Sequence, residues 1–242
     1  MNKNNLFLPS INIAGGILLS VIVFSFVWKS ARTSDQTITV TGSAKMNITA
    51  DFGMLSGTLT VRNKSAKNAF RNLNRNMPRV IKFLSKYGFK KDDIELFTIN
   101  NYPIYKMNDK GYSTQQIQAY NYSQRIKIES DDVNKIKEIS LAISSLVEDG
   151  VNFNVEPPQY LYTKLHHIKI DIQAKAAANA MLRAEKIAKA AGRNLGPLRK
   201  ARMGVIQITP RNSTSVSDYG FNDTSSIEKE ITAVVNASFE IQ

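Results

Sequence analysis

The chain has 242 residues, of which 43% are hydrophobic and 9% aromatic, enough to build the core of a globular domain. It contains no cysteine, which excludes disulfides, thiolate metal sites and cysteine nucleophiles. The formal net charge of +12 favours anionic lipid, nucleic acid or acidic protein as a partner, or else serves only solubility.

Residues 6–28 form an uncharged and mostly apolar stretch near the N-terminus. As a helix this stretch would be about 34 Å long, which is enough to cross a bilayer core of about 30 Å. It ends in the bulky residues Phe26, Val27 and Trp28 instead of the small residues of a signal-peptide cleavage site. Trp28 followed by Lys29 is typical of an anchor at the membrane interface. We therefore predict an uncleaved membrane anchor, whose orientation the nearly balanced flanking charges leave open.

The anchor divides the chain into a short N-terminal tail at residues 1–5, a polar linker at residues 29–36 and a folded part at residues 37–242. Alternation of apolar and polar residues predicts the first two strands of this part, over residues 37–42 and 52–62, joined by a turn at residues 44–51.

Three helices are predicted from apolar residues at helical spacing. The first begins after the N-cap candidate Ser65 and ends at Gly88, and the second runs from Asp132 to Val147. The third covers residues 169–191. Its apolar stripe is predicted to comprise Ile170, Ala174, Ala177, Met181, Ala184, Ala188 and Ala191.

The remaining segments alternate as strands or are rich in turn residues. A turn is predicted at residues 108–111, and residues 210–226, rich in Ser, Thr, Asn and Asp, are predicted to be a mobile loop. The strands are predicted over residues 94–106, 115–130, 151–155, 198–209 and 227–241. Strands joined by short turns and interrupted by three packed helices indicate an α+β domain with a mostly antiparallel sheet, preceded by one transmembrane helix.

Short motifs follow one another in a set order along residues 37–242. They are Thr39–Gly42, Asp93–Ile94 with Thr98, Pro103 with Tyr105, Gln118–Tyr120, Arg183–Glu185, Leu195–Gly196 and Ala233–Val235. In order and spacing they resemble the SIMPL-domain family, which includes bacterial periplasmic and outer-membrane immunogenic proteins and an oxidative-stress defence protein. One departure is Ile227–Glu230, which stands where the family often has a Pro-Gly turn before the last strand.

This resemblance implies a protein that is exported or membrane-anchored, since members of the family are one or the other. It implies a single-pass protein of the bacterial inner membrane with its soluble domain in the periplasm. Some members assemble into rings, and a role in envelope or oxidative stress is implied for some of them. No catalytic residues are established in the family.

The sequence offers little to an enzyme. His166 and His167 are adjacent, so on a strand they would point to opposite faces and could not bind one metal ion together. The carboxylate pairs at residues 92–93 and 131–132 stand where a turn or a helix begins, as capping residues do. No phosphate-binding loop, nucleophile elbow or zinc-binding helix motif is present. We therefore predict no enzyme activity, no cofactor, no metal site and no catalytic residue.

Two kinds of binding surface remain open. Basic residues are dispersed, with the densest cluster at residues 193–202, and no aromatic-basic motif accompanies them, so nucleic acid is an unfavoured partner. Five tyrosines surround one predicted hairpin, either as an interaction surface or, with more weight, as ordinary sheet packing. They are Tyr102, Tyr105, Tyr112, Tyr120 and Tyr122.

Two functions from different classes follow. The first is a non-enzymatic, membrane-anchored protein that contacts lipid through residues 6–28 and self-associates into a homo-oligomer at the cell envelope. The alternative is a basic module that binds anionic lipid or an acidic envelope polymer, with an affinity that falls steeply with salt.

Overall fold

The computed structural model describes the backbone of residues 7–33 and 36–242, and the side chains of residues 13–28 and 36–242. The predicted tail at residues 1–5 lies outside the described residues. Helix α1 spans Phe7–Thr33, so it continues into the segment predicted as a linker, and its side chains from residue 13 to residue 28 are exposed. In the described part of the chain no helix combines the length and the hydropathy that crossing a bilayer requires. The anchor predicted over residues 6–28 stays a prediction.

Beyond α1 the described chain forms strands, three further α-helices and two short 3-10 helices at Lys91–Asp93 and Ile143–Val147, which confirms the predicted α+β class. The strands and α-helices are numbered below. In chain order they are β1 (Thr37–Thr49), β2 (Phe52–Asn63), α2 (Ala66–Lys86), β3 (Ile94–Met107), β4 (Ser113–Ser130), α3 (Val133–Ala142), β5 (Phe153–Val155), β6 (Gln159–Leu161), α4 (Leu165–Ala190), β7 (Leu195–Met203), β8 (Gln207–Pro210), β9 (Phe221–Asn222) and β10 (Glu228–Ile241).

These elements form two compact units. Of the described residues, the first unit comprises 7–33, 36–45, 168–206 and 232–242, and the second comprises 46–167 and 207–231. Strands β1 and β10 are neighbours in a sheet of the order β1-β10-β8-β9, and β7 also pairs with β10.

In the first unit, α4 approaches β1 closely. A side chain at Gly42 would place its Cβ 2.3 Å from the backbone of both Ala176 and Ala180, so only glycine fits. The predicted stripe of α4 is confirmed at Ala184 and Ala188, which are buried, and is wrong at Ile170 and Met181, which are exposed. The buried face repeats every fourth residue instead and consists of Ile172, Ala176, Ala180, Ala184 and Ala188.

The second unit holds an antiparallel sheet in the order β3-β4-β2-β5, with β6 also pairing with β2. Helices α2 and α3 bury their apolar faces in its core. From α2 the buried residues are Ala69, Leu73, Met77, Val80 and Leu84. The adjacent prolines Pro157 and Pro158 fall between β5 and β6, as expected for residues that cannot donate to a ladder.

Three predicted boundaries are wrong. The turn expected at residues 44–51 is mostly strand, since β1 runs on to Thr49. The single strand expected over residues 198–209 is two strands, β7 and β8. Helix α4 begins at Leu165, four residues earlier than predicted, which places the two histidines in its first turn. The segment predicted as a mobile loop, residues 210–226, contains the short strand β9, which pairs in parallel with β8.

Candidate functional site

Helix α2 carries six basic side chains and no acidic one. At about 100° per residue, they fall within an arc of about 120°, centred opposite the buried apolar stripe of the same helix. All six are exposed. They are Lys67, Arg71, Arg75, Arg79, Lys82 and Lys86, and are called the cationic face below.

No ion pair neutralises the cationic face within the described residues. The contrast is with the sheet of the same unit, where Arg125 lies 2.7 Å from Glu156, and Lys127 lies 2.7 Å from Glu95 and 3.0 Å from Glu129. The hydrogen bonds to Glu95 and Glu129 raise the pKa of Lys127 above its ordinary value. Arg125 and Lys127 of the sheet are therefore matched by carboxylates, whereas the six cations of α2 have no carboxylate partner among the described residues.

Two clefts border the cationic face. The larger has a volume of about 410 Å³ and is lined by Arg62 of β2, by Arg75 and Arg79 of α2, and by polar side chains. The smaller has a volume of about 300 Å³ and includes Lys82 and Lys86. Arg79 belongs to both clefts and donates a hydrogen bond of 3.0 Å to the backbone carbonyl of Asp149. The two clefts therefore adjoin along one row of cations.

The β3–β4 hairpin is the second surface of this unit. β2 pairs with β4 only as far as Tyr120, so residues 113–119 of β4 pair with β3 alone. β3 is the edge strand of the sheet, and its pairing with β4 is interrupted by bulges. Several large side chains of residues 102–117 of this hairpin, called the hairpin arm below, are exposed. They are Tyr102, Tyr105, Met107, Tyr112 and Ile117.

The five tyrosines fall into two groups, one that fits ordinary sheet packing and one that fits an interaction surface. Tyr120 and Tyr122 are half-buried, and the ring of Tyr122 packs edge-on against Phe70 with centroids 6.1 Å apart. Tyr102 and Tyr112 are exposed by 55% and 69%. Sheet packing therefore accounts for the tyrosines near β2, and the exposed ones lie on the hairpin arm.

The end of the segment 210–226 is fixed by a buried ion pair. Lys229 of β10 is 1% exposed and its Nζ lies 3.1 Å from Oδ2 of Asp223. Burial opposes ionisation of Asp223, but hydrogen bonds from Ser226, Ser225 and Lys229 outweigh it and hold the pKa of the carboxyl well below its usual range. This network closes the turn where the sequence lacks the expected Pro-Gly pair.

The carboxylates and histidines considered as catalytic candidates do not converge. Asp132 caps α3 by accepting hydrogen bonds from the backbone of Asn134 and Lys135, and Asp93 accepts one from the backbone of Lys90. His166 and His167 are exposed in the first turn of α4 with ring centroids 5.5 Å apart. Within the described residues, no three His, Asp or Glu side chains are grouped as a metal site would require.

The fold and these surfaces define an α+β protein built on largely antiparallel sheets, with a cationic face and an exposed hairpin. A family model described as "SIMPL: Protein of unknown function (DUF541)" matches residues 38–239. The chain belongs to this SIMPL family, which confirms the resemblance seen in its motifs.

Two curated relatives carry the name "26 kDa periplasmic immunogenic protein". The one from Brucella melitensis biotype 1 is 26% identical over 169 residues, and the one from Brucella abortus (strain S19) is 25% identical over the same length. Each match covers 68% of this chain and 65% of the relative, so the chain spans about two thirds of the length of the proteins it matches.

The cationic face was missed by the sequence analysis. The density of basic residues along the chain is highest at residues 193–202 and does not reveal the cationic face. The six cations of α2 are spread over 20 positions, at intervals of three or four residues. The signal that finds them is helical periodicity applied to charge instead of to apolar residues.

Proposed function

We propose that this protein is a non-enzymatic component of the bacterial cell envelope that self-associates through the hairpin arm. The observation that carries the proposal is the two-stranded end of the β3–β4 hairpin, which no third strand covers among the described residues. A two-stranded ribbon that exposes aromatic side chains is marginal in water, and a partner that covers it gains buried apolar area.

A second copy of the chain is the occupant that charge favours. Copies with a net charge of +12 repel each other over most of their surface. Residues 100–120 contain only Lys106, Asp109 and Lys110 as charged residues, so two hairpin arms can approach at little electrostatic cost. The unpaired edge of β3 adds free backbone donors and acceptors, and Pro103 limits open-ended strand addition there.

The proposal includes an N-terminal anchor at residues 6–28 and a body in the periplasm. Supporting it are the uncharged sequence of this stretch and the exposed apolar side chains of α1, among them Leu18, Ile22 and Phe26. The printed name of both Brucella relatives places those proteins in the periplasm. Several anchors in one assembly would hold the membrane far more firmly than one. A link to envelope or oxidative stress rests on the family resemblance.

Self-association is tested by light scattering on the full-length protein in an uncharged detergent across the micromolar range. We expect an oligomer for the wild type and a shift to monomer for Ile117→Lys, which places like charges opposite each other between arms. Leu141→Lys, at a position on α3 that is 74% exposed against 44% for Ile117, is the control for an added surface lysine and should leave the oligomer intact. A wild-type monomer at all concentrations, or equal effects of the two variants, would refute the proposal.

Anchoring is tested separately by mass spectrometry of the membrane fraction. We expect a chain that retains residues 6–28 and a segment 210–226 that a protease reaches only from the periplasmic side. Mature material that begins after Trp28 and stays in the soluble fraction would contradict the anchor without bearing on self-association.

The second candidate function is the basic module for anionic lipid or an acidic envelope polymer. The unneutralised cationic face of α2 favours it. Binding to acidic vesicles or to a polyanion should weaken steeply between low and physiological salt, because exposed charges are screened within about 8 Å. Binding that is unchanged by salt would remove this candidate.

A further inference from the structure

We propose that the larger cleft beside α2 holds the phosphate groups of a linear anionic polymer, which lies along the cationic face. The inference rests on the second candidate function and goes further, because it names the site, the chemistry of the ligand and the residues that recognise it.

Three guanidinium groups line this one cleft. Arg62 comes from β2, and Arg75 and Arg79 come from adjacent turns of α2. No carboxylate is among its lining residues, and Arg62 and Arg75 make no hydrogen bond or ion pair with the described residues. A guanidinium presents up to five N–H donors in a planar fork that matches the oxygens of a phosphate in a bidentate manner. The cleft therefore offers uncommitted, directional donors.

Neutral donors line the same space. Asn72 and Asn76 are half-buried on α2, Asn152 lies before β5, and Thr60 lies on β2. Amide and hydroxyl groups can complete the hydrogen bonding of an oxyanion without adding charge. Three cations together with these donors exceed what a single carboxylate can accept, whereas successive phosphate groups supply the charge and the oxygens to match them.

The cleft continues into a longer cationic track. Arg79 also lines the smaller cleft with Lys82 and Lys86, and Asp149 is the acidic residue of that lining. From Lys67 to Lys86 the track is about 28 Å long, at about 1.5 Å per helical residue. A small anion would occupy only one cleft, whereas an extended polymer reaches both, so the continuity of the track favours a linear ligand.

Two other polyanions fit this surface less well. A planar bilayer would contact the exposed cations but not the half-buried Asn72 and Asn76 of the cleft. Single-stranded nucleic acid is bound through base stacking on aromatic rings. Of the two phenylalanines of α2, Phe70 is engaged edge-on with Tyr122. Phe83, which lines the smaller cleft, is half-buried and packs against Tyr87 with ring centroids 5.3 Å apart. The surface therefore suits a phosphate backbone without bases.

The test uses full-length protein in an uncharged detergent and inorganic polyphosphate as the probe, with affinity measured by calorimetry at several salt concentrations. We expect Arg62→Gln with Arg75→Gln to weaken binding about tenfold or more, since each bidentate contact is lost. Arg62→Lys with Arg75→Lys keeps the charge but loses the fork, and should fall between this variant and the wild type. Arg193→Gln with Arg202→Gln removes the same charge from the densest sequence cluster and should change affinity less than about threefold.

The outcomes separate the inference from the function on which it rests. No binding of the wild type to any polyanion at low salt would remove both. Binding that the Arg62/Arg75 and Arg193/Arg202 pairs weaken equally, or that the lysine pair retains in full, would overturn the cleft but leave a basic module. Tighter binding to acidic vesicles or to oligo-dT than to polyphosphate would overturn the choice of ligand. Thermal melting of each variant confirms that the fold is retained.

Discussion

The buried pair of Lys229 and Asp223 gives the sharpest stability prediction. Their side chains are 1% and 4% exposed, and the ammonium also donates to the backbone carbonyl of Asp223 at 2.6 Å. At an effective dielectric constant of about 20, charges 3.1 Å apart attract by about 5 kcal/mol. Removing one partner of a buried pair costs about 3–5 kcal/mol, because the remaining charge is left without compensation.

The perturbation is a double-mutant cycle. Asp223→Asn leaves the Lys229 ammonium buried beside a neutral amide, and should cost about 3–5 kcal/mol. Lys229→Met removes the ammonium, while the carboxylate keeps its bonds from Ser225 and Ser226, so its cost should be about 1–3 kcal/mol. The double variant removes both charges and should cost less than the sum of the single variants.

The assay is thermal unfolding of the full-length protein in detergent. For a chain of this size about 1 kcal/mol corresponds to roughly 2–4 °C, so Asp223→Asn should lower Tm by about 10 °C. Lys200→Met, at an exposed position of β7, controls for the loss of a surface charge. Costs that add to within about 0.5 kcal/mol, or a Tm change for Asp223→Asn no larger than that of the control, would refute the energetic coupling.

Two further predictions concern stability. Because the pKa of Asp223 is depressed in the folded state, the contribution of its carboxylate to stability is present above the ordinary carboxyl pKa of about 4 and is lost as the pH falls further. The Tm difference between wild type and Asp223→Asn should therefore shrink between pH 4 and pH 2. A Tm difference that stays constant over this range would contradict the prediction. Gly42→Ala should lower Tm by several degrees, because the added Cβ meets the backbone of α4, which cannot move aside as a side chain can. The control Ser43→Ala keeps the hydrogen bond from its backbone N–H to Asn179 and should change Tm little. Equal melting of these two variants would show that β1 and α4 separate freely at this point.

Local sequence patterns were enough to predict much of the fold. The apolar spacing of α2 and the turn residues Asn108–Gly111 each determine their element with little help from the rest of the chain. The register of α4 could not be read in the same way. Alanine is compatible with buried and exposed positions alike, so the larger residues Ile170 and Met181 were wrongly placed on the buried face, whereas Ala184 and Ala188 were placed there correctly.

Most of the candidate site depends on contacts between segments that are distant in the sequence. The larger cleft joins β2, α2 and the residues before β5, and nothing in any one segment indicates the other two. The buried pair had a visible signal that was not used. Lys229 lies in phase with the buried positions Ile231, Ala233 and Val235 of β10, and a lysine on the buried side of a strand implies a partner carboxylate.

The pairing of β1 with β10 can form only after nearly the whole chain has been synthesised. Thr41 bonds to Asn236 across 195 positions in the first unit, and Thr49 bonds to Glu228 in the second. At a translation rate of about 5–20 residues per second, β1 waits roughly 10–40 s for its neighbour to be made. The chain lacks these pairings throughout that interval, and a premature stop before β10 would leave β1 without this neighbour.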